Sequence, residues 1–149
     1  MQTTSGPPET PSEIREELAP RLRWVITRMA RRLRQEAGTD LGPSQVAALA
    51  TIERHGPLSP SELAKLERIK RPTATRILRH LEEAALVERI KDPEDGRGSI
   101  LSVTAAGRTH LKRLRARKTA YLATRLDGLS SEDRQTIERA AELLEGMLE

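Results

Sequence analysis

Apolar residues recur at helical spacing from Ile14 through Leu18, Leu22, Val25, Ile26 and Met29 to Leu33, and the run stops at Gly38. A period of this kind predicts an amphipathic helix over roughly 12–38. Pro20 falls inside it. Either the helix kinks there, or a short helix ends and Pro20 opens a longer one, and a kink is the favoured reading. Ser44 is the expected cap of a second helix whose apolar side is Val46, Leu49, Ala50 and Ile52, with Gly56 and Pro57 as its stop signal. Ser59 caps a third helix, with Pro60 at its first position, Glu62 closing a capping box and an end near Leu66. A fourth runs from about Pro72 to Ala84. At 100° per residue, Ala74, Ile77, Leu78 and Leu81 share one side of it, and Pro72, Arg76 and Arg79 share the other.

The period then changes. Val87 to Lys91 and Ser99 to Val103 read as strands, joined by the turn-rich Asp92-Pro93-Glu94-Asp95-Gly96-Arg97-Gly98. Thr104 caps a long helix from about Ala105 to Leu126, marked by Leu111, Leu114, Leu122 and Leu126. Ser130 with Asp133 opens a last helix carrying Ile137, Ala140, Leu143, Leu144, Met147 and Leu148. The fold class is therefore mainly α with a small antiparallel β-hairpin. A short capped helix, a second helix with a basic outer face and a hairpin with an arginine at its tip, in that order, make a winged helix-turn-helix. The expected organisation is an unstructured start over 1–11, a helix over 12–38, a winged helix-turn-helix lobe over 39–104, and a long helix plus a last helix over 105–149.

The 149 residues fit one compact protomer, and the lack of Phe leaves Leu, Ile, Val and Ala to build the core. The absence of cysteine excludes disulfides, thiol redox sensing and cysteine zinc sites. The Thr-, Ser-, Gly- and Pro-rich beginning has no apolar run, so neither a signal peptide nor a membrane span is expected, and the protein is read as soluble and cytoplasmic. A formal net charge of +4 is modest, so its distribution carries the information.

The outer face of the fourth helix supplies the candidate chemistry. The guanidinium forks of Arg76 and Arg79 match guanine O6 and N7. The bland alternative is a solvated face pairing with Glu82 or Glu83. Thr73 and Thr75 suit phosphate or base contacts at a helix start, where free backbone N–H groups attract anions. Ser61, Arg71, Pro72 and His80 complete this face, and Lys91 and Arg89 stand on the hairpin. Arg97, at the tip beside two glycines, suits a minor groove, and Asp95 is placed to orient it through a charge-assisted hydrogen bond. His55, His80 and His110 are scattered, so no metal site or other cofactor is expected. Neither a Ser-His-Asp order, a Gly-rich phosphate loop nor a His-Glu-x-x-His motif is present, which argues against an enzyme.

These phrases together resemble the MarR (multiple antibiotic resistance regulator) family of transcription factors. They are Ser-Pro-Ser-Glu-Leu-Ala from Ser59, Arg-Pro-Thr-Ala-Thr-Arg-Ile-Leu-Arg-His-Leu-Glu from Arg71, Leu-Val-Glu-Arg from Leu86, Asp-Pro-Glu-Asp-Gly-Arg from Asp92 and Val-Thr-Ala-Ala-Gly from Val103. Leu-Ser-Ser-Glu-Asp-Arg from Leu129 adds to them, and the resemblance covers residues 14 to 148. It implies an Asp and Arg working together at the wing tip, here Asp95 and Arg97. It also implies a small-molecule effector in a cleft between helices and DNA-binding lobe, with Trp24, Met29 and Tyr121 as candidate lining, although a lone Trp on an amphipathic helix is more often core.

Two departures stand out. Lys70 and Arg71 replace the small polar cap that often precedes the recognition helix, and Ala85 stands where a glycine usually follows it. Should that position need a left-handed backbone, Ala there costs about 1 kcal/mol.

The first and last helices carry more apolar surface than a small winged helix can cover. Pairing with a second copy through Ile14, Leu18, Leu22, Ile137, Leu144, Met147 and Leu148 buries it. The expectation is a homodimer that binds a pseudo-palindromic duplex, as a repressor released by an effector. A winged-helix protein-interaction module that never reads bases is the competing class.

Overall fold

The computed structural model describes residues 10–149. Residues 1–9 and the Ile14 side chain lie outside the described residues, and with them most of the expected unstructured start and the interface role of Ile14. Pro11 already begins a helical turn, Pro11–Glu13, followed by a π-wound turn, Ile14–Leu18. The helices after it are α1 (Ala19–Ala37), α2 (Pro43–His55), α3 (Pro60–Glu67), α4 (Arg71–Glu83), α5 (Ala105–Asp127) and α6 (Ser131–Gly146). Strands β1 (Val87–Lys91) and β2 (Ser99–Val103) pair antiparallel between α4 and α5, with Val87 opposite Val103 and Lys91 opposite Ser99.

Two local expectations are corrected. Pro20 stands in the first turn of α1, directly after the wide π turn, with Leu18 before it already in a right-handed helical conformation. It opens the regular α-helical stretch within a helical run that is continuous from Pro11 to Ala37. Ser44 does not cap α2. Gly42 is the N-cap and Pro43 the first helical residue, since the fixed φ of proline suits that position. The Gly42 N–H donates to Gln45 Oε1 at 3.2 Å, which closes the helix start.

One core holds the central elements together. Leu49 and Ile52 of α2, Leu63 of α3, and Ala74, Leu78 and Leu81 of α4 pack with Val87, Leu101 and Leu111. No polar or charged side chain is buried among the described residues, so packing alone defines this lobe. Leu58, between α2 and α3, bridges to Leu101: the Leu58 N–H donates to Leu101 O at 3.0 Å, and the Leu101 N–H to Leu58 O at 2.8 Å. This short third strand position ties the hairpin to the helices, and no sequence signal announced it.

The turn from α4 into β1 is tight. Ala85 takes φ 56°, so the left-handed backbone usually given to glycine is present here with a Cβ on it. The Ala85 carbonyl accepts from Thr104 Oγ1 at 2.7 Å, and the Leu86 N–H donates to Leu81 O at 2.9 Å. Gly107, in the first turn of α5, lies against the same turn. A Cβ there would collide with the Leu86 carbonyl oxygen and come within 2.7 Å of Val103 Cγ2.

Two stability outcomes follow. Ala85→Gly relieves the left-handed strain and raises the unfolding free energy by about 1 kcal/mol in denaturant titration, with no change in m. An unchanged or lowered midpoint would show that the turn is unstrained. Gly107→Ala lowers stability by about 1–3 kcal/mol, because backbone must move to admit one methyl.

Candidate nucleic-acid interface

The helix-turn-helix is built from its caps outward. Ser59 Oγ accepts the Glu62 N–H at 3.2 Å and Glu62 Oε2 accepts the Ser59 N–H at 2.9 Å, a closed capping box that fixes the start of α3. Arg68 ends α3 in a left-handed conformation, φ 54°. Lys70 is the N-cap of α4 and offers no side-chain cap. Backbone N–H groups in its first turn are therefore left for solvent or a ligand, beside the cationic Lys70 and Arg71.

The orientation of α4 is decided by burial. Ala74, Ile77, Leu78 and Leu81 are buried, as their spacing predicts. Arg71, Pro72, Thr75, Arg76, Arg79 and His80 are exposed, while Thr73 and, on α3, Ser61 are half-buried. The bland pairing with Glu82 or Glu83 does not form. Glu82 Oε2 instead accepts from Arg89 Nη2 at 3.3 Å, and Arg89 Nη1 donates to Ser99 Oγ at 2.8 Å. Among the described residues Arg76 and Arg79 have no ion pair, so both guanidinium groups remain available. Arg89 is spent on the base of the hairpin.

At the tip, the Asp92 N–H donates to Gly98 O and the Gly98 N–H to Asp95 O, both at 3.0 Å. The expected Asp95 contact needs correcting. Its Oδ1 accepts the backbone N–H of Arg97 at 3.1 Å, not the guanidinium. The carboxylate shapes the turn and leaves the Arg97 side chain exposed, and Lys91 is exposed at the end of β1.

Two clefts lie away from this face. The larger, about 650 Å³, is bounded by α1, the 39–47 segment and α5, with Leu33, Val46 and Leu114 on its apolar side and Arg31, Arg34 and Lys118 beside them. Trp24, Met29 and Tyr121 do not line it. Trp24 is 58% and Met29 43% exposed, and Arg28 lies over the Trp24 ring at 5.0 Å. Tyr121 belongs to a second, shallow cleft of about 490 Å³ between α1 and α5. The histidines stay apart: His55 and His80 are exposed, and His110 Nε2 lies 3.0 Å from Thr39 Oγ1. No group of three or more His, Asp or Glu positioned for a metal ion occurs among the described residues. Nor is any described helix long and apolar enough to cross a membrane.

The terminal helices keep their apolar faces open. Leu18 is 48%, Ile137 50%, Met147 72% and Leu148 88% exposed, Leu22 and Leu144 are half-buried, and α6 has no buried residue.

Comparison with known proteins agrees with this architecture. A sequence model of the MarR family matches residues 41–99. The HTH-type transcriptional regulator ML2140 of Mycobacterium leprae is 34% identical over 128 residues, covering 85% of this chain and 90% of that protein. A crystal structure of a transcriptional regulator protein from Pseudomonas aeruginosa PA01 superimposes with a TM-score of 0.77 at 32% identity, over 91% of this chain and 96% of that one. The fold is also that of an S. aureus MepR variant bound to an oligodeoxyribonucleotide, with a TM-score of 0.70 at 21% identity over 89% of this chain and 98% of that one. With its winged helix in place and a relative of this similarity along nearly its whole length, the chain belongs to the MarR family of transcriptional regulators, which are DNA-binding proteins and not enzymes.

Proposed function

We propose that this protein is a homodimeric, sequence-specific reader of double-stranded DNA that represses neighbouring genes and is released by a small organic effector. The observation that carries the reading is the outer face of α4. Its opposite face is fully committed to the core, and Arg76 and Arg79 point outward with no internal partner. A rigid helix with free guanidinium forks suits the major groove. Thr73, Thr75 and the uncapped N-terminus of α4 suit the adjoining phosphates. Arg97 on its thin ribbon suits the flanking minor groove, with Lys91 near the backbone. A MepR variant of the same fold was solved bound to an oligodeoxyribonucleotide, which favours DNA as the ligand of this fold.

The open apolar faces of α1 and α6 support a two-fold dimer. Two copies of α4 would then stand about 34–36 Å apart, one turn of duplex, and read a pseudo-palindrome. A dimer seated there excludes any other protein from the same grooves, which is repression by occlusion. The 650 Å³ cleft lies where α1 and α5 meet the lobe, so an occupant that favours one lobe spacing weakens binding by its differential affinity. Its apolar side beside Arg31, Arg34 and Lys118 suits an amphipathic organic anion.

Duplexes recovered from genomic DNA by selection on the full chain provide the test. Arg79→Ala reduces discrimination against a mismatched half-site by about 1–3 kcal/mol in a mobility assay. Arg97→Ala weakens matched and mismatched duplexes alike. Affinity of the unaltered chain falls steeply with salt as counterions are released. If neither substitution changes affinity, the assignment of this face is wrong.

A further inference from the structure

The segment that joins α1 to the winged lobe is strapped to α5, and the DNA-reading face makes no use of the strap. Helix α1 ends at Ala37, and the chain leaves it through Gly38 at φ 63°. The last carbonyls of a helix have no partner within it and form the negative end of its dipole. Arg117 of α5 supplies that partner. Its Nη1 donates to the Ala37 and Gly38 carbonyls at 3.1 and 3.3 Å. None of the described ion pairs includes Arg117, so its charge is directed at this helix end. A Cβ at position 38 would lie 2.6 Å from Arg117 Nη1, so any other residue there displaces the guanidinium.

Other contacts show which body each end of the strap belongs to. Earlier on α5, His110 Nε2 lies 3.0 Å from Thr39 Oγ1, which also accepts the Leu41 N–H at 3.1 Å. Leu41 in turn packs against the core of the lobe. Leu111 is in that core, and Arg115 Nη1 pairs with Glu53 of α2 at 2.8 Å. The first half of α5 is therefore fixed to the lobe, and Arg117 is where that rigid piece grips the end of α1. Beside the grip, the 650 Å³ cleft separates α1 from the lobe, so little apolar packing takes over the task.

We infer that Arg117 is a positioning residue that fixes the half-site spacing at which the protein reads DNA. The inference rests on the two-fold reader proposed above and concerns how far apart its two α4 faces are held, not what each face reads. In such a reader α1 belongs to the paired end and α4 to the lobe, with the 38–42 link between them. A swing of about 10° on a lever of about 20 Å, the span of a lobe this size, carries α4 about 3.5 Å, one base-pair step. A single contact at the hinge therefore decides between adjacent spacings. The Arg115–Glu53 pair does not act there, because both of its residues are fixed to the lobe. A guanidinium suits the task, since one nitrogen holds the carbonyls of two consecutive residues and so sets direction as well as distance.

Selected duplexes whose half-sites are moved one base pair closer or further apart test this with the full chain in a mobility assay. The unaltered chain is expected to prefer its own spacing about tenfold or more. Arg117→Ala and, independently, Gly38→Ala are expected to narrow that preference to about threefold or less, while the penalty for a mismatched half-site stays as it was. Arg113→Ala removes an exposed cation elsewhere on α5 and is expected to leave both quantities unchanged. An Arg117→Ala chain with unaltered helicity by circular dichroism that keeps the full spacing preference would overturn the inference. Loss of base discrimination along with spacing preference would also overturn it, as general loosening of the fold. Narrowing by Arg113→Ala as well would assign the effect to charge alone and overturn it too. An unaltered chain indifferent to spacing would overturn the two-fold reader and this inference together.

Discussion

Burial of Ala74, Ile77, Leu78 and Leu81 leaves α4 only one way to face. These four side chains occupy one side of a three-turn helix, and their neighbours Leu49, Ile52 and Leu63 form a dry core with no buried polar group among the described residues. Rotating α4 by even one residue, about 100°, would expose part of that seam and bury a guanidinium, at a cost of several kcal/mol. Arg76 and Arg79 are therefore held outward by apolar packing on the far side of their own helix. Reading DNA needs such a device, since a side chain can discriminate bases only if its backbone arrives at the groove in a fixed orientation.

The hairpin obeys the same logic by different means. Leu58 pairs with Leu101 through two backbone hydrogen bonds, Val87 and Val103 sit in the core, and Gly107 lets α5 close over the Leu86 carbonyl. Its base is thus rigid with respect to α4, reinforced by Arg89 between Glu82 and Ser99. Its tip is held only by local turn bonds around Asp92, Asp95 and Gly98. A rigid base with a thin, loosely held tip suits an arginine that must follow a groove of variable width.

Much of this was legible in the chain because the informative residues act locally. The α4 seam follows from 3.6-residue spacing, the hairpin from period-two strands around a turn-rich segment, and Ser59, Thr104 and Ser130 cap helices where their hydroxyls predict. The failures were also local in part. Pro43 moved the start of α2 ahead of Ser44, and Pro20 opened α1 where a kink was expected. Others were tertiary and had no sequence signal. The Leu58–Leu101 bridge joins residues 43 positions apart, and Glu82 pairs with Arg89 across to β1 and not with the arginines of its own helix. By charge the Asp95 carboxylate suits the Arg97 guanidinium, yet the N–H two residues on needs no side-chain ordering and takes it instead. Ala85 was the most instructive residue: the missing glycine was visible, and the fold kept the left-handed turn regardless.

Hydroxyl-radical footprinting of the full chain on a selected duplex measures the central claim directly, because it reports which parts of the DNA face the protein. Two copies of the fixed α4 face predict two protected patches on one side of the duplex, about one helical turn apart, with cleavage suppressed beyond them where Arg97 enters the minor groove. A single patch, or uniform weak protection that vanishes with modest salt, would contradict the account of a two-fold reader built on the buried seam of α4.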